Sequence, residues 1–196
     1  MAIIAKNSKG TQVDPIEAGS FVARIYLMIH IGTVVGFQGK LQNKVRIGFE
    51  LPTERHTFDE KKGEQARVIS QDFTLSFNEK ATLRKVITAC DPKALELDDD
   101  GLMEEFDVES LIGKALLITV AHKAKADGKG EFAFIENVTA IPKGMTCPPA
   151  ENAVQVISYD NWNEDVFQKL PDFIKEKMES TDEFKALSPE VRKSTF

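Results

Sequence analysis

Arg24, Tyr26, Met28 and His30 recur at every second position of the stretch "RIYLMIH". Side chains in a strand point to alternate faces, so this spacing predicts one face carrying a guanidinium, a phenol, a thioether and an imidazole. The residues between and beside them, Phe21, Ala23, Ile25, Leu27, Ile29 and Ile31, are expected to form the buried face. A face that is merely solvated has no use for such a set. Arginine pairs with phosphate or lays its plane on a base, and tyrosine and histidine rings stack on bases. Each stacked base is worth roughly 1–3 kcal/mol. The plainer alternative is that another part of the chain covers this face and makes Tyr26 and Met28 a second small core.

The same chemistry recurs further along. "KVRIGFEL" places Lys44 and Arg46 opposite Val45, Ile47, Phe49 and Leu51. "TERHTFDEKKGEQAR" interleaves Arg55, His56, Lys61, Lys62 and Arg67 with Phe58, although Glu54, Asp59, Glu60 and Glu64 make a plain solvated loop an equal reading. "HKAKADGKG" adds Lys123, Lys125 and Lys129 against Asp127 alone. The candidate contact set is therefore Arg24, Tyr26, His30, Lys44, Arg46, Arg55, Phe58, Lys61, Lys62, Arg67, Lys123, Lys125 and Lys129.

Other chemistries find little footing. The chain has no G-x-x-x-x-G-K-[ST], H-E-x-x-H or G-x-S-x-G motif, so catalysis and a bound cofactor are not expected. "ELDDDGLMEE" fails the D-x-[DN]-x-[DN]-G register of a calcium loop. Cys90 and Cys147 lie far apart without zinc-ligand spacing and read as a reduced pair. No apolar run reaches the roughly 20 residues that span a bilayer, and the first residues lack the basic flank of a signal peptide. The expected location is the cytoplasm.

Net charge is -6, which argues mildly against a polyanionic partner. Its distribution argues the other way. Residues 24–85 hold 11 Lys+Arg against 7 Asp+Glu, whereas residues 91–109 hold nine acids against one lysine. The acidity is concentrated, and the segments that can meet phosphate are locally basic.

These residues need elements to position them. Strands are predicted over about 20–35, 44–51, 67–77, 111–123 and 132–141, with Pro52 ending the second and Pro142 the fifth. Residues 36–43 read as a hairpin connection and 53–66 as a long charged loop. "EKATLRKVITAC", capped by Asn78 or Ser76, is a helix between the third and fourth strands. Five strands with one helix in that place match the layout of an OB-fold, a small five-stranded Greek-key β-barrel. Residues 1–19 then form an extended lead-in, 20–142 the barrel, and 143–196 a linker with a helical C-terminal extension anchored by Trp162. Val166, Phe167, Leu170, Phe173, Ile174 and Met178 give that extension one or two amphipathic helices, with Pro171 between them.

A resemblance joins these features. Gly19 to Arg24, the Gly32-Thr33 turn, Val45 to Pro52, "TLSFNEKATLRK", "FDVESLIGKALLITVAH" and "LPDFIKEKMESTDEFKAL" resemble phage-encoded single-stranded-DNA-binding proteins of the OB-fold type. The resemblance runs through nearly the whole chain. It implies a stoichiometric binder that protects single-stranded DNA during phage-type replication or recombination, within a bacterial host cell. Replication or recombination proteins and a second copy of the chain are the implied protein partners, with no membrane. Many such proteins end in an acidic tail closed by an apolar residue, whereas here Arg192 and Lys193 stand close to Phe196. That departure puts the tail's recruiting role in doubt. The competing class is a non-catalytic scaffolding protein whose barrel and acidic loop bind other proteins.

Overall fold

A computed structural model describes residues 14–96, 105–126, 128 and 130–187. Its strands are β1 (Gly19–Val35), β2 (Leu41–Asp59), β3 (Gly63–Thr74), β4 (Ala115–Ala124), β5 (Glu131–Thr139) and β6 (Gln155–Ile157). Its helices are α1 (Thr82–Cys90), α2 (Glu164–Lys169), α3 (Asp172–Glu179) and α4 (Asp182–Ala186). The five long strands are antiparallel neighbours in the order β3-β2-β1-β4-β5 and curl into a half-barrel, while β6 pairs in parallel with β1. The inward alternation predicted for β2 and β4 is observed: Val45, Ile47, Phe49, Leu51, Leu116, Ile118 and Val120 are all core residues. Helix α1 adds Leu83, Val86 and Ile87 to the same core.

The strand β1 departs from the simple alternation. Arg24, Ile25 and Leu27 face Glu50, Phe49 and Gly48 in turn, so Tyr26 is an extra residue with no partner in the ladder. A β-bulge of this kind exchanges the two faces of the strand beyond it. Before it, Ala23 and Ile25 point into the barrel; after it, Met28 does. The expected single apolar face is therefore split: Ile29 and Ile31, with Leu27 beside them, line a second core on the opposite side. Gly48 makes the bulge sterically possible, since a Cβ there would lie 2.7 Å from that of Leu27. Ile31 is the extra residue of a second irregularity, which ends at Gly32 with φ 92°.

The second core is built by the C-terminal extension. Trp162, Phe167, Leu170, Ile174 and Met178 are buried against Ile29, Ile31 and Ile157, so the expected anchoring role of Trp162 is observed. Each such side chain contributes roughly 1.5–3 kcal/mol on burial. Asn163 caps α2 through its side chain, Pro171 stands at the N-cap of α3, and Thr181 caps α4. The extension has three short helices rather than one or two because each first turn restarts at one of these residues.

Other boundaries also move. β2 does not stop at Pro52: it runs on to Asp59, with its register to β3 interrupted between Leu51 and Arg55. Pro52 falls in that interruption, where no ladder bond is asked of it. The expected loop 53–66 is thus the end of a long β2–β3 hairpin. β6 was not foreseen, because three residues are too few to show alternation. Helix α1 starts from Ala81 without a side-chain cap, rather than from Asn78 or Ser76.

Candidate nucleic-acid interface

The predicted contact residues fall into two groups. One lies on the outer side of β1 and β2, where the C-terminal segment engages it. Arg24 donates to the carbonyls of Gly113 at 2.7 Å, Cys147 at 2.9 Å and Pro148 at 3.1 Å. Arg46 pairs with Asp72 at 2.5 Å and sits over the ring of Phe173, 5.1 Å from its centre. Lys177 reaches the other oxygen of Asp72 at 2.9 Å, so α3 is tied to β2 and β3 through one carboxylate. Arg55 pairs with Glu151 and donates to the Glu64 carbonyl at 2.7 Å. His30 instead falls on the Met28 and Val45 side of the sheet beyond the bulge, 2.8 Å from the Asn43 side chain and edge-on to Tyr159. Lys44 is half-buried beside Asp72 and Lys177, in a hollow under α3.

Glu50, directly across from Arg24, completes this fastening. It is fully buried, and its carboxylate accepts from the backbone of Glu151 at 2.7 Å and of Asn152 at 2.8 Å, and from the Asn152 side chain at 2.7 Å. A buried carboxylate requires such donors. Burial, and then the charge of Glu50, push the Tyr26 hydroxyl above its ordinary range, so the phenol stays neutral. Burial raises the Asp72 carboxyl, but the hydrogen bonds and charges of Arg46 and Lys177 outweigh it and hold the group below its usual value. Burial likewise pushes the free thiol of Cys90 up to about 12, which makes it a poor nucleophile.

The second group lines a cleft between β3 and β5. No ladder joins these two edges among the described residues, and residues 14–16 lie between them. Ile16 is buried in the barrel core, its carbonyl 2.7 Å from Nε2 of His122, while Arg67 donates to the Asp14 carbonyl. The cleft encloses about 410 Å³, and its lining includes Phe58, Arg67, Val68, Lys125 and Phe132. Phe58 and Phe132 stay 48% and 43% exposed, a large open area for rings beside a cavity. His56 packs edge-on against Phe58 at 4.7 Å, and Phe134 lies 6.4 Å from Phe132. Lys61 and Lys62 are exposed at the turn of the β2–β3 hairpin, and Lys123 and Lys125 near the end of β4. Glu131 and Asp14 are the cleft's carboxylic residues. Lys129 lies outside the described residues.

Phe132 and His122 were absent from the predicted set. A signal for Phe132 exists in "FAFIENV": Ala133 and Ile135 pack toward the core, so Phe132 and Phe134 fall on the opposite side. His122 gives no comparable signal, because its role depends on where residue 16 passes.

Such a site combines open rings for stacking with cations able to follow a phosphate chain. A scan against protein-family models matches none, and a search of the curated proteins finds no similar sequence. No helix among the described residues is long and apolar enough to cross a membrane.

Proposed function

We propose that this chain binds single-stranded DNA, largely independent of sequence, along the cleft between β3 and β5. One observation carries the reading: Phe58 and Phe132, both substantially exposed, line one cleft with Arg67 and Lys125, below a hairpin turn bearing Lys61 and Lys62. Base–aromatic stacking tolerates any sequence because every base has a π-face, and each stacked base is worth roughly 1–3 kcal/mol. The lysines add phosphate attraction that salt weakens.

The strand order, with α1 between β3 and β4, supports an OB-fold barrel of Greek-key type, a fold whose surface and hairpin loops commonly carry such ligands. With the resemblance of the sequence to phage-encoded binders, the role inferred is protection of exposed strands during replication or recombination in a bacterial cytoplasm. Of the residues first expected to touch DNA, Arg24 and Arg46 act instead as fasteners of the C-terminal segment in this reading, and Tyr26 is the extra residue of the β1 bulge.

The test is a titration of fluorescent oligo-dT, followed by anisotropy at low and moderate salt beside a duplex control. Salt-sensitive binding to the single strand in preference to the duplex is expected. No binding to the single strand at low salt would refute the reading.

A further inference from the structure

A different cavity, of about 360 Å³, opens between β1, β2, the turn after β6 and the 3-10 segment Val108–Leu111. Met28, Val45, Phe106 and Val156 give it an apolar wall. Asp107, Glu109 and Asp160 give it a carboxylate rim, His30 also lines it, and no lysine or arginine among the described residues does. Asp107 is engaged in capping Glu109 N at 3.0 Å. The carboxylates of Glu109 and Asp160 are exposed, and no ion pair among the described residues uses them. A phosphate chain is repelled from such a rim. An apolar side chain flanked by cations fits it.

The sequence supplies that combination. Residues 188–196 read "SPEVRKSTF", with Arg192 and Lys193 against Glu190, and with Val191 and Phe196 as apolar side chains; they lie outside the described residues. Leu187, the last described residue, packs on the second core with Tyr159 and Trp162. Ser158, Asp160 and Asn161, interleaved with those two in the chain, line the cavity. Nine extended residues reach at most about 30 Å, enough to cross from one to the other.

We propose that the cavity is a docking site for residues 191–196 of the same chain. The Phe196 ring enters the apolar wall, and Arg192 and Lys193 lie over Glu109 and Asp160. This seat is separate from the DNA-binding reading, since it uses no residue of the β3–β5 cleft.

The full-length chain with Phe196 replaced by photo-reactive p-benzoylphenylalanine tests it, by irradiation at low salt and mapping of the cross-links by mass spectrometry. The expected result is an intramolecular cross-link to peptides containing Met28, Phe106 or Val156. Its yield is expected to fall roughly two- to fivefold for each of Glu109→Lys and Asp160→Lys, the scale of one exposed charge pair. Both positions are exposed, and an unchanged melting curve checks that each variant is folded. Absent or scattered cross-links, cross-links to the cleft around Phe58 and Phe132, or cross-linked dimers would each overturn the proposal. So would a yield indifferent to the two reversals together.

Discussion

The outer side of β1–β2 and the β3–β5 cleft both place cations beside aromatic rings, and in sequence they look alike. In the folded chain they differ in what those groups touch. Arg24, Arg46 and Arg55 each meet a carbonyl, a carboxylate or a ring of residues 145–177. Phe58 and Phe132 keep close to half their surface open. A cation beside a ring is thus a poor indicator of a ligand until its partners within the chain are known. The region with half-open rings and exposed lysines is the better candidate.

The largest expected effect tests whether the first region is a permanent fastening. Trp162→Ala is predicted to cost about 3–5 kcal/mol in urea denaturation, because it empties the centre of the second core. Glu50→Ala is predicted to cost about 1–3 kcal/mol by the same measurement, since it removes the acceptor of the Glu151 and Asn152 amides. Glu50→Gln, which keeps an acceptor, should cost less.

A smaller effect concerns pH. The Asp72 carboxyl titrates below its ordinary value of 3.8 in the folded chain, so its contribution is complete above that value. It is lost as pH falls through the lower folded-state value. Asp72→Asn is therefore expected to destabilise the protein more at pH 6 than near pH 2, read as the difference between the two acid-unfolding curves. An equal loss at both would break the assigned role of the Arg46–Asp72–Lys177 link.

The smallest effect sharpens the second region. Lys61→Ala and Lys62→Ala should each lower the slope of log affinity against log salt by up to about one, with little change in melting temperature. Unchanged slopes would remove the hairpin turn from the phosphate path.

Much of the barrel was legible, because each strand buried on one face shows a period of two. Val45 to Leu51 and Leu116 to Val120 gave their inward faces directly. The bulge at Tyr26 was hidden, since an extra residue leaves the spelling of a strand unchanged and shows only in its pairing. Its partner Gly48 was the one local sign. The grouping of the candidate residues was legible in part. Phe58, Arg67 and Lys125 converge on the cleft, whereas Arg24 and Arg46 were drawn away by carbonyls and a carboxylate far along the chain. No local pattern encodes that kind of partner.

The central claim is that the strand lies in the β3–β5 cleft and not on the outer side of β1–β2. Oligo-dT anisotropy on Phe58→Ala combined with Phe132→Ala, beside Arg46→Met, tests it most directly. The account predicts at least a roughly fivefold loss of affinity for the double variant at unchanged melting temperature, the lower end of stacking energies. It predicts binding by Arg46→Met within about twofold of the parent, as for a position off the contact surface. A double variant that binds like the parent, or a folded Arg46→Met that no longer binds, would contradict it.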